Sequence, residues 1–98
     1  MRKSIYFDSR KNRDDHGFFD SLPFSEYMSK YRGATVVNSS IANSGKDYVQ
    51  TYHIEPQGVT LSHEQSEEGQ VSVDLFGKRE SIGQVEKKIL EAARKFRK

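Results

Sequence analysis

The chain has 98 residues, which is room for one domain spanning residues 1–98. Only 34% of the residues are hydrophobic while 31% are charged, so a lone copy is short of core material and self-association is expected. A net charge of +2 is too small to call for a nucleic-acid partner, and the absence of cysteine excludes disulfides, zinc–thiolate sites and thiol nucleophiles.

Residues 3–8, Lys-Ser-Ile-Tyr-Phe-Asp, read as a first strand, and the polar, charged run 9–19 reads as a loop. Pro23 suits the first turn of a helix, where its missing N–H would have no intrahelical acceptor. Phe24, Tyr27, Met28 and Tyr31 follow at helical spacing, and Gly33 is placed to end that helix. Ala34-Thr35-Val36-Val37 is β-rich, whereas Asn38 to Lys46 reads as a turn region. Over 47–54 the residues alternate, with Val49, Thr51 and His53 on one side and Tyr48, Gln50, Tyr52 and Ile54 on the other.

Pro56 and Gly58 then punctuate the chain. Val59, Leu61 and His63 share one side of the next strand, residues 64–70 form a polar turn, and Val71, Val73 and Leu75 give a further strand with one apolar face. Ser81 is expected to cap the last helix, in which Ile82, Val85, Ile89, Ala93 and Phe96 form one apolar stripe facing the sheet.

This order implies an α+β two-layer sandwich, with a mainly antiparallel sheet of four or five strands and two helices on one face. The other sheet face is expected to carry Tyr, Thr, Gln and Ser. Such a face is either solvated or a contact surface, with Tyr48 and Tyr52 as the partner-binding candidates. A sheet edge is the second route to a dimer.

Phe18 and Phe19 stand together in an otherwise polar stretch. They either plug the space between helix and sheet or form a partner-binding tip. Arg2, Lys3, Arg10, Lys11 and Arg13 gather near the start, and Arg94, Lys95, Arg97 and Lys98 at the end. Solvated ends account for both clusters, with the last four also favourable at a helix C-terminus; a nucleic-acid surface is the alternative. His63-Glu64-Gln65-Ser66-Glu67 opens like a zinc-protease helix but lacks the second histidine, and Asp8, Asp14, Asp15 and Asp20 do not have calcium-loop spacing. No metal site is expected. No apolar run is long enough to span a bilayer and no signal-peptide pattern precedes the first strand, so a cytoplasmic protein is expected.

From Gly33-Ala34-Thr35, through His63 and Gly69, to Asp74-Leu75-Phe76 and the final helix, the chain resembles the bacterial and archaeal pyruvoyl-dependent S-adenosylmethionine decarboxylases over residues 24–97. In that family a serine hydroxyl attacks the preceding carbonyl, and elimination leaves a pyruvoyl group that acts as the electron sink for decarboxylation. The resemblance places Gly58 at the serine and Gln57 at the residue before it. It places Lys78 at the proton-donating cysteine and Ser44 near the aromatic that stacks on adenine. His63 matches the histidine that assists self-processing, and Glu67 falls near an acidic position of the substrate site.

Glycine has no side chain, so neither the ester nor a pyruvoyl group can form at Gly58. Neither Thr60 nor Ser62 rescues the nucleophile, because neighbouring strand residues point to opposite faces from His63. The expectation is a catalytically silent relative without a cofactor, acting by binding itself as a homodimer, a homologue or another protein. Two alternatives stay open. One is an enzyme or sensor that takes S-adenosylmethionine or a related amine through the remnant pocket of Gly58, His63, Glu67 and Lys78. The other is a small nucleic-acid-binding module.

Overall fold

The computed structural model describes residues 1–8, 16–42, 47–66 and 70–96. Five strands, β1 (Arg2–Asp8), β2 (Ala34–Ala42), β3 (Asp47–Ile54), β4 (Val59–Gln65) and β5 (Val71–Phe76), form one sheet in the order β1-β5-β4-β3-β2, and every neighbouring pair is antiparallel. Three helices, α1 (His16–Phe19), α2 (Ser21–Ser29) and α3 (Arg79–Phe96), accompany the sheet. The architecture is the α+β sandwich that the element order implies.

The alternation in the strands sets which face is covered. Tyr52 and Ile54 of β3, Val59, Leu61 and His63 of β4, and Val71, Val73 and Leu75 of β5 are all buried. Ile82, Val85, Ile89 and Ala93 of α3 close over them at three- and four-residue steps. Phe24 and Met28 of α2, with Tyr31 just beyond its end, complete the core beside them.

Several details depart from the sequence reading: α2 ends at Ser29, short of Tyr31 and Gly33, and β4 continues through Glu64 and Gln65 where the composition predicts a turn. The stretch before α2 is not loop to its end, because residues 16–19 make one helical turn. The second strand runs on through Asn38, Ser39 and Ser40 to Ala42, because a complete ladder with β3 outweighs the turn preference of those residues. Ser81 is in the first turn of α3, two residues beyond its start at Arg79. Phe96 does not face the sheet; it is 52% exposed and its ring meets Phe18 edge-on at 5.7 Å.

Gly33 fixes the passage from α2 into β2. Its φ is +93°, and a Cβ there would lie 2.0 Å from the Glu55 carbonyl oxygen. The Glu55 N–H donates to the Gly33 carbonyl at 2.9 Å, so two backbones meet where a side chain has no room.

Candidate functional site

The turn between β3 and β4 holds Pro56, Gln57 and Gly58, and the start of α3 lies across from it. Together with Lys78, Ser81 and Gln84 they line an open cavity of about 510 Å³. Gly58 has φ +69° and nothing within 4 Å of where a Cβ would stand. Its N–H donates to the Ile54 carbonyl at 2.9 Å, closing the turn. The Gln57 Oε1 atom is buried with no hydrogen-bond partner among the described residues. Gly58 and Lys78 therefore share one cavity, although twenty positions separate them in the sequence.

His63 is elsewhere. It lies five residues along β4 from Gly58, roughly 17 Å at the rise of an extended strand, and it is on the helix side of the sheet. The ring is 2% exposed, stacks on Phe24 at 4.8 Å and 12°, and donates from Nε2 to the Phe19 carbonyl at 2.6 Å. Burial pushes the imidazole below the usual histidine range; the Phe19 bond and the Asp20 carboxylate pull it back only in part. A neutral ring spent on a backbone carbonyl holds α1 against the sheet and has no access to the Gly58 cavity. Glu67, the fourth residue of the remnant pocket, and Ser44 lie outside the described residues.

The partner-binding candidates divide. Phe18 is 4% exposed, Phe19 is 0% and Tyr52 is 3%, so none of the three presents a surface to a partner. Phe19 stacks on Tyr6 at 3.9 Å and on Phe24 at 5.8 Å, and Phe18 packs edge-on against Phe19 and Tyr27. These aromatics fill the space between the helices and the sheet, where burying two large rings outweighs showing either to solvent.

Tyr48 alone of the four is exposed, at 38%. Both tyrosines lie on the helix side of the sheet, not on the open face. A polar chain makes this tolerable: Tyr48 Oη donates to Gln50 Oε1, and Gln50 Nε2 donates to Tyr52 Oη at 3.1 Å. The open face instead carries Val49, Thr51, His53, Thr60, Ser62 and Ser72 together with Glu64, Asp74 and Phe76.

The basic start of the chain is partly neutralised. Arg2 pairs with Asp74 at 3.3 Å and sits over the Phe76 ring, and Lys3 pairs with Glu86 at 2.8 Å. Arg10, Lys11 and Arg13 lie outside the described residues, as do Arg97 and Lys98. Among the described residues no group of three His, Asp or Glu converges as metal ligands would, and no described helix is long and apolar enough to cross a membrane.

One surface carries more unsatisfied apolar area than the sequence reading assigned it. On β2, Val36 is 50% exposed, Val37 57% and Ile41 68%. Reading Asn38 to Lys46 as a turn hides this strand, although the thirteen residues from Gly33 to Gly45 carry no charge.

Comparison with known proteins matches the chain to no family model, no curated protein and no solved structure.

Proposed function

We propose that this protein acts by binding another protein chain and carries out no pyruvoyl chemistry, as a catalytically silent relative of the S-adenosylmethionine decarboxylases. The observation that carries this reading is Gly58. At the position matching the family's serine there is no oxygen or sulfur to attack the Gln57 carbonyl, and without that attack no ester and no pyruvoyl group form. Supporting it, His63 is buried and committed to Phe19, so the residue matching the processing histidine has no proton to exchange at the Gln57–Gly58 bond. Lys78, in place of the proton-donating cysteine, is exposed at the rim of the cavity.

The cavity at Gln57, Gly58 and Lys78 favours a second reading, in which a small amine or S-adenosylmethionine binds without being turned over. Two measurements test these readings, and the second separates them. A denaturing mass spectrum of the purified protein is expected to show a single chain of 11.3 kDa, and titration calorimetry with S-adenosylmethionine and with spermidine is expected to give no dissociation constant better than about 1 mM. Two fragments meeting at Gln57 and Gly58 would overturn the proposal. Micromolar binding of either ligand would transfer the function to the cavity. The nucleic-acid reading predicts a complex at low salt that weakens steeply as salt rises; no mobility shift with single- or double-stranded probes is expected.

A further inference from the structure

The sheet has two edges, and they are built differently. β1 carries Arg2, Lys3 and Asp8 in seven residues. β2, at the other edge, runs nine residues as Ala-Thr-Val-Val-Asn-Ser-Ser-Ile-Ala, with no charge and no proline. Charges, prolines and bulges are the usual means of keeping an exposed edge from pairing with another chain; β2 has neither charge nor proline in a protein that is 31% charged, and its one interruption is the bulge at Val37.

Resting on the reading that the protein works by binding a protein chain, we infer that the partner is a second copy of itself. β2 pairs antiparallel with β2 of that copy about a two-fold axis between Val37 and Asn38, which joins two five-stranded sheets into one of ten strands.

The register of β2 on β3 supplies the argument. Residues opposite one another in a ladder point to the same side. Ala34, Val36, Ser39 and Ile41 oppose Ile54, Tyr52, Gln50 and Tyr48, so they lie on the helix side. Thr35, Asn38 and Ser40 oppose His53, Thr51 and Val49, so they lie on the open side. Alternation is interrupted once, at the bulge between Val36 and Asn38, where Val37 is the extra residue.

Outwards from the point between Val37 and Asn38, the sides then run identically in both directions. Val36 and Ser39 are on the helix side, Thr35 and Ser40 on the open side, and Ala34 and Ile41 on the helix side. An antiparallel self-pairing centred there sets Val36 opposite Ser39, Thr35 opposite Ser40 and Ala34 opposite Ile41, each pair on one side as a ladder requires. The two bulges face each other at the axis, so neither strand has to slip. A shift of one residue would set every one of these pairs on opposite sides, so the alternation of β2 rules that slip out.

The side chains fit the same occupant. Every cross-axis pair is uncharged, so the symmetric contact brings no like charges together. Val36 and Ile41, exposed on the helix side, would lie against Ser39 and Ala34 of the second copy and lose their contact with solvent. An edge of nine residues is about 30 Å long, and covering it with these side chains buries on the order of 1,000 Å² in total, the lower range for a specific dimer.

The test uses the full chain, which has no cysteine of its own. Sedimentation equilibrium is run on the wild type, on a variant carrying Val37→Lys and Ile41→Lys, and on one carrying Thr35→Cys and Ser40→Cys. The wild type is expected at twice the chain mass at micromolar concentration. The lysine variant is expected as a monomer with unchanged far-ultraviolet circular dichroism, because both positions are exposed. Under oxidation the cysteine variant is expected to run as a dimer held by disulfides between residues 35 and 40 of different copies. These two lie five positions apart on one strand, too far for a bond within a chain.

A wild type that stays monomeric at 100 μM would overturn the pairing, as would a lysine variant that remains dimeric or a cysteine variant that does not cross-link. None of those results touches the absence of pyruvoyl chemistry. That reading falls separately, if a denaturing mass spectrum of the same sample shows the chain cut at Gly58.

Discussion

The Nε2 atom of His63, in the middle of β4, donates a 2.6 Å hydrogen bond to the main-chain carbonyl of Phe19, at the end of α1. The bond crosses 44 positions of sequence and ties the one-turn helix to the sheet. Breaking it leaves a buried carbonyl without a donor and removes the ring that stacks on Phe24. His63→Ala is therefore expected to lower the stability by about 2–4 kcal/mol, combining an orphaned polar group with a cavity. Urea denaturation followed by circular dichroism checks this, and a loss under 1 kcal/mol would mean that His63 does not anchor α1.

Because burial holds the His63 imidazole below the usual histidine range, its ionisation opposes folding in acid. At pH 7.5 the ring is neutral in both the folded and the unfolded chain and contributes no pH dependence. As the pH falls through about 6.5 the unfolded chain binds a proton that the folded chain refuses, so stability is lost by at most about 1.4 kcal/mol per pH unit. The loss stops once the pH falls below the depressed folded value. Denaturation midpoints of the wild type and of His63→Leu between pH 7.5 and 5.5 are the check. The wild type is expected to fall more steeply, and parallel curves would remove His63 as the source.

How much of this was legible beforehand depended on whether a residue's role was local. The stripe Ile82, Val85, Ile89 and Ala93 and the alternation of Val71, Val73 and Leu75 repeat at the period of their element, so they could be read directly. The split of β3 into two sides was also legible, but not which side the helices cover. Tyr48, Gln50 and Tyr52 look like solvent-facing residues until their hydrogen bonds to one another are seen. Phe18 and Phe19 read as a loop because one helical turn leaves no period to detect. The strand from Asn38 to Ala42 was missed because its stability comes from pairing with β3, a long-range term absent from the composition of the segment. The meeting of Gly58 and Lys78 in one cavity likewise comes from chain topology, and no local pattern announces it.

Gly33 and Gly58 both have positive φ, yet substitution is expected to treat them differently. At Gly33 an added Cβ meets the Glu55 carbonyl oxygen at 2.0 Å, and neither backbone can retreat without opening the Glu55–Gly33 hydrogen bond. At Gly58 the same atom meets nothing within 4 Å, so only the backbone preference is lost. Gly33→Ala is expected to cost more than about 3 kcal/mol or to prevent folding, and Gly58→Ala about 1–2 kcal/mol. Thermal melts of the two variants side by side are the measurement. An equal effect at both positions would show that the close approach at Gly33 is not a constraint.

Gly58→Ser puts back the hydroxyl that the resemblance to the decarboxylases says is missing. The variant is expected to fold, since the position is open, and to remain uncut. Among the described residues the matching histidine is not beside it: His63 lies five residues along the strand, on the helix side, and its Nε2–H is given to Phe19. An oxygen nucleophile without a neighbouring group to accept its proton attacks an amide far too slowly to matter. Intact-mass measurement after days at neutral pH checks this. Cleavage between Gln57 and Ser at position 58 would mean that the turn itself activates the bond, and that loss of the hydroxyl alone silenced an otherwise competent site. A stable, uncut variant would place the loss deeper, in the commitment of His63 to the core as well as in the missing side chain.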